Sequence, residues 1–213
     1  MAKPTNFIIM NGQHLALAFF WTLFCALHSL LASLGWKRRA QALMGKRYRF
    51  YRLYYTVFAF LSLGGVLYFQ VILSSPFMFQ PNTVSTAVGL FLCGIGLLVM
   101  AICIRKYFLN LSGLKSLYLN DEQAANELQV SGIHRYVRHP LYSGTFLAIW
   151  GLWLLIPQLS LLIADLIITA YTLLAIGWEE QKLEAEFGDS YKLYKKRVPK
   201  LIPLPGKTSY RAR

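Results

Sequence analysis

Residues 132–144 concentrate groups that can do chemistry. Thirteen positions hold two His (His134, His139), two Arg (Arg135, Arg138), two Tyr (Tyr136, Tyr142), Ser143, two Gly (Gly132, Gly144) and Pro140. A connecting loop needs only solvated polar residues, so this density asks for a reason. Pro140 suits the first position of a helix, where its missing N–H has no partner to lose and its φ is already helical. The proline also pushes His139 towards an extended backbone. The spacing therefore predicts an ordered loop that becomes a helix at Pro140, with Tyr142, Ser143 and Gly144 on the first turn. The free N–H groups of that turn, beside Arg135 and Arg138, make a seat for an anion. The bland alternative is a basic patch against acidic lipid.

A second constellation follows some 40 residues later. Glu179 and Glu180 are adjacent, and Glu184 lies four positions beyond Glu180, so two like charges share one helix face. Acids beside a basic loop suit a ligand carrying both signs of charge. A solvated helix end is the competing reading. The sequence holds no G-x-S-x-G elbow, no G-x-x-x-x-G-K-[ST] loop, no H-E-x-x-H and no glycine fingerprint of a soluble dinucleotide or S-adenosylmethionine domain. Cys25, Cys93 and Cys103 lie in apolar runs without metal or disulfide spacing, and are expected reduced and buried. On residues alone, the inference stops at a membrane-side site for a zwitterionic or anionic ligand.

The elements that must position these groups are apolar. The chain has 213 residues, 56% of them hydrophobic and 15% charged, with a mean hydropathy of +0.43. That is too apolar for an ordinary soluble domain. The net charge of +13 does not point to nucleic acid, because the cations lie between and after the apolar spans, as in the positive-inside pattern. The first apolar run lacks a cleavage site and is expected to stay as a span. Five spans are predicted: 14–34, 53–73, 84–104, 141–156 and 161–177. Lys37 to Arg52 carries seven Lys or Arg and no acid, which marks the cytoplasmic side. The topology is then N-terminus outside and C-terminus inside, which puts both polar constellations on the cytoplasmic face.

Within the spans, His28 reads as a packed or interfacial residue. Gly89, Gly94 and Gly96 read as a close helix approach rather than as room for a ligand. Asp165 sits about 21 Å along its helix from the Glu179–Glu180 pair, so it reads as structural or interfacial. Arg105 to Val130 is not expected to span: 107–119 is expected to lie in the interface, partly helical, and Asp121, Glu122 and Glu127 to mark a solvated surface piece. Gly188 stops the last helix, a short basic helix follows to Arg197, and 206–213 form a basic tail.

Residues 132–144, with Glu179-Glu180, Phe187-Gly188, Tyr191, Tyr194, Val198-Pro199 and Ile202-Pro203, resemble the isoprenylcysteine carboxyl methyltransferase superfamily. The resemblance covers roughly residues 104–205. Leu27-His28-Ser29-Leu30-Leu31-Ala32 and Phe108-Leu109-Asn110-Leu111-Ser112-Gly113-Leu114 are more similar to its bacterial methanethiol S-methyltransferase branch. The resemblance implies an all-α integral membrane protein: spans in 1–104, a methyltransferase core in 105–205, and a bacterial inner-membrane location. It implies S-adenosyl-L-methionine as cofactor, with the bilayer and a small-molecule or lipid-like methyl acceptor as partners and no nucleic acid. Carried over by position, Tyr136, His139, Tyr142 and Gly144 shape the cofactor pocket, and Glu179 and Glu180 hold its ammonium or ribose hydroxyls. Arg138 meets its carboxylate, and Tyr191 and Tyr194 close the site. Arg138, His139 and Glu180 are the expected catalytic set. The acceptor is then a small thiol or an isoprenylcysteine-like carboxylate. The alternatives are a phospholipid N-methyltransferase, or a non-catalytic sensor or assembly factor of the same fold.

Overall fold

The computed structural model describes residues 4–111, 128 and 130–204, with side chains from residue 12 onward except those of 106–111. The acidic piece at 121–127, most of the expected interfacial segment and the tail at 206–213 lie outside the described residues. Among the described residues six α-helices follow in order: α1 (Pro4–Ala32), α2 (Leu34–Met44), α3 (Tyr51–Ile72), α4 (Thr83–Leu111), α5 (Pro140–Leu155) and α6 (Leu159–Arg197). No strand occurs among the described residues. Among those residues, four helical stretches are long and apolar enough to cross a membrane, and α5 is a shorter apolar helix. The chain is an all-α integral membrane protein.

Local chemistry sets the boundaries. Ser33 has an extended backbone, and its hydroxyl accepts from the N–H of Trp36, so the chain breaks between α1 and α2. At the start of α4, Asn82 Oδ1 accepts from the Ser85 N–H at 2.9 Å while the Asn82 N–H donates to Ser85 Oγ at 3.0 Å. This reciprocal pair satisfies donors that the first turn would leave open. Pro140 is the first residue of α5, as its chemistry predicts. Gly188 adopts φ +54° inside α6 and breaks it into two pieces. α4 runs seven residues past the expected end of its span, into the expected interfacial segment.

Two packing groups result. Leu17 and Trp21 of α1, Leu73 beyond α3 and Ala164 of α6 form one core, crossed by a hydrogen bond from Trp21 Nε1 to Gln70 Oε1 at 2.7 Å. Asp165 is buried beside Ala164, 3% exposed. The second group is α5 on α4. A Cβ built on Gly96 would stand 2.5 Å from the Ala148 nitrogen and 2.6 Å from the Gly144 oxygen. One on Gly151 would stand 2.6 Å from the Cys93 nitrogen. Small residues let these backbones touch. Gly94, by contrast, has open space where its side chain would be, so the packing belongs to Gly89 and Gly96. The main partner of α5 is therefore α4, while α6 packs chiefly along α1. The two groups are tied at one end of the molecule, where the Met78 N–H donates to the Pro157 oxygen and the Leu159 N–H to the Pro76 oxygen.

Candidate functional site

At the opposite end, the α5–α6 hairpin brings the two polar constellations together. Glu180 Oε1 accepts from Arg138 Nη2 at 2.7 Å and Nε at 3.0 Å, and lies 3.1 Å from His139 Nε2. The Arg138, His139 and Glu180 side chains are 7%, 4% and 5% exposed. A carboxylate so far from water holds its charge only when paired and hydrogen-bonded. Here a guanidinium fork and an imidazole converge on one oxygen. The other oxygen, Oε2, lies 3.4 Å from Lys195 Nζ, which also reaches Glu184 Oε1 at 2.6 Å. Lys195 thus offsets the like charges that Glu180 and Glu184 place on one face.

The Gly188 kink makes this closure. It turns residues 189–197 so that Tyr191, Tyr194 and Val198 form a small buried core. The Tyr194 hydroxyl donates to the His134 oxygen at 2.7 Å. The extended segment beyond straps the loop: the Arg138 N–H donates to the Pro199 oxygen and the His139 N–H to the Lys200 oxygen. Ser143 Oγ donates to the Leu201 oxygen at 2.6 Å. Arg138 Nη1 also donates to the Lys195 and Val198 oxygens. Most of the donors of Arg138 are therefore spent inside the protein, and its side chain organises the site.

Glu179 is placed differently. Its side chain is 46% exposed, and its Oε2 stands 3.7 Å from His139 Nδ1, with no hydrogen-bond partner among the described residues. It has acceptor capacity to spare, whereas Glu180 has little. Tyr142 stacks on His139 with centroids 5.8 Å apart and lies within electrostatic reach of Glu179. Tyr136 is largely exposed, and Tyr191 is buried at 1%. Gly144 faces away from this cluster: a Cβ there would meet the Gly96 oxygen at 2.9 Å and Met100 at 3.0 Å. Sequence reasoning missed Lys195 and the carbonyls of 195–201. The Gly188 break followed by a basic helix was the signal available for Lys195.

The family model described as phospholipid methyltransferase matches residues 85–190, which run from α4 to just past the Gly188 kink. A methanethiol S-methyltransferase of Crocosphaera subtropica is 34% identical over 126 residues, 57% of this chain and 48% of that protein. A protein-S-isoprenylcysteine O-methyltransferase of Schizosaccharomyces pombe is 41% identical over 78 residues, 36% of this chain and 33% of that protein. The chain belongs to the isoprenylcysteine carboxyl methyltransferase superfamily. A third relative, methanethiol S-methyltransferase 2 of Bradyrhizobium diazoefficiens, is 42% identical over 73 residues, 33% of this chain and 27% of that protein. The chain thus spans about half or less of the length of these relatives. No solved structure matches it.

Proposed function

We propose that this protein is a membrane methyltransferase that uses S-adenosyl-L-methionine and passes the methyl group to a small thiol or an isoprenylcysteine-like carboxylate. The observation that carries the reading is the division of labour between the two glutamates across His139. Glu180 is committed to Arg138 and His139, while the Oε2 atom of Glu179 is left without a partner among the described residues. A carboxylate with spare acceptor capacity fits a cofactor that brings an ammonium and ribose hydroxyls.

Glu179 would hold those groups, and the stacked Tyr142 and His139 would form the wall beside them. Arg138 and Glu180 keep His139 in place. The cofactor supplies a sulfonium-bound methyl and its own leaving group, so the protein contributes orientation and exclusion of water. We place the site on the cytoplasmic face, because the seven cations between Lys37 and Arg52 follow the positive-inside rule. A bacterial inner membrane is the setting this implies.

The test is methyl transfer by purified protein in detergent from methyl-labelled cofactor to methanethiol, farnesylated N-acetylcysteine or phosphatidylethanolamine. Label in the thiol or prenylcysteine product supports the reading. Absence of both transfer and S-adenosylhomocysteine binding would refute it.

A further inference from the structure

One polar cluster lies outside the glutamate site and inside the helical spans. Tyr55 of α3 places its hydroxyl 3.0 Å from both ring nitrogens of His28 on α1. Next to it, Ser29 Oγ and the Tyr171 hydroxyl of α6 are 2.9 Å apart. All four residues are only partly buried. Polar groups at this depth are costly against lipid, so a partly open cluster calls for a protein-lined space or a ligand. The two nitrogens of an imidazole point away from each other, so one hydroxyl aligns with only one of them at a time, and no other hydrogen bond of His28 occurs among the described residues. Around this cluster α5 packs chiefly on α4, and α6 chiefly along α1. Tyr142 of α5 lies within electrostatic reach of Tyr55 and Tyr171 and also of Glu179. Along α6, Tyr171 and Glu179 are eight residues apart, about 12 Å.

Resting on the methyl-transfer reading above, we propose that His28, held by Tyr55, is the base that receives the proton of the methyl acceptor, in a subsite completed by Ser29, Tyr171 and Tyr142. The step balances without another reactant. The acceptor S–H proton passes to the free imidazole nitrogen, and the sulfur lone pair forms the new bond to the methyl carbon. The methyl–sulfonium bond breaks and leaves neutral S-adenosylhomocysteine. The imidazolium then gives its proton to water. A thiol needs such a base because only the thiolate is nucleophilic. Plain helix-to-helix adhesion is the competing role for these hydrogen bonds, and it predicts no dependence on the acidity of the acceptor.

The experiment compares two thiols in the wild type, His28→Gln and Tyr171→Phe. Methanethiol is mostly protonated at neutral pH, whereas thiophenol is already largely thiolate. His28→Gln is expected to lose roughly 100-fold in turnover with methanethiol, only a few-fold with thiophenol, and nothing in S-adenosylhomocysteine binding. Tyr171→Phe, which removes one hydroxyl, is expected to raise KM for both thiols and leave turnover nearly intact. Equal losses of His28→Gln with both thiols, no loss with either, or weakened cofactor-product binding would each overturn the assignment. A wild type that binds S-adenosylhomocysteine but methylates neither thiol overturns this inference alone. A wild type that neither binds nor transfers overturns the methyltransferase reading with it.

Discussion

Glu180 Oε1 lies 2.7 Å from Arg138 Nη2 and 3.0 Å from Nε, an ion pair almost wholly withdrawn from water. Removing one partner leaves an uncompensated buried charge, which costs about 3–5 kcal/mol. Arg138→Ala and Glu180→Gln are both expected to lower the unfolding temperature in detergent. The double variant Arg138→Met/Glu180→Met is expected to recover part of the loss. Single variants as stable as the wild type would show that the pair does not carry the fold of this end.

Glu179→Gln should behave differently from Glu180→Gln. Glu179 is half-exposed and lacks an ion pair as close as that of Glu180, so its neutral form is expected to unfold near the wild-type temperature. Its S-adenosylhomocysteine affinity is expected to fall at least tenfold by calorimetry. Unchanged affinity would move the cofactor contact elsewhere.

His139→Ala is expected to drop methyl transfer below detection while the protein keeps its helical circular dichroism. The imidazole touches both carboxylates and stacks on Tyr142, so the wall of the proposed pocket goes with it. Full activity in this variant would remove His139 from the site.

Gly96→Ala and Gly94→Ala form a controlled pair. A methyl at position 96 would press on the backbone of α5 at 2.5 Å, while one at 94 meets nothing. Overpacking of this kind costs roughly 1–3 kcal/mol. Thermal unfolding should separate the two variants, and equal midpoints would contradict the close approach of α4 and α5.

Gly188→Ala introduces a side chain at φ +54°, a backbone region that other residues enter at about 1–3 kcal/mol. It is expected to lower stability and to loosen Tyr194 from His134. Protease protection near residue 188 would report the change, and unaltered protection would argue that the kink is unstrained.

The spans were legible because length and hydropathy alone mark them. The expected 53–73, 84–104 and 141–156 fall on α3, α4 and α5. Which helix neighbours which was not legible, since an apolar helix looks alike on every side. The close approaches of Gly89 to Gly151 and of Gly96 to Gly144 decide that α5 lies on α4. The helix α2 was hidden in a basic run whose charge dominates its pattern. Arg138, His139 and Glu180 were legible from residue type and resemblance. That the arginine is spent on the protein rather than held out for a ligand was not, because its partners are backbone carbonyls, which every residue carries.

The strap of Pro199 to Leu201 has a consequence for biogenesis. The loop at 138–143 is translated some sixty residues before the carbonyls that hold it. Every membrane helix is therefore complete on the ribosome before the site can assemble. A chain that stops short of residue 198 inserts its spans in full but lacks the carbonyls that hold the backbone of 138–143.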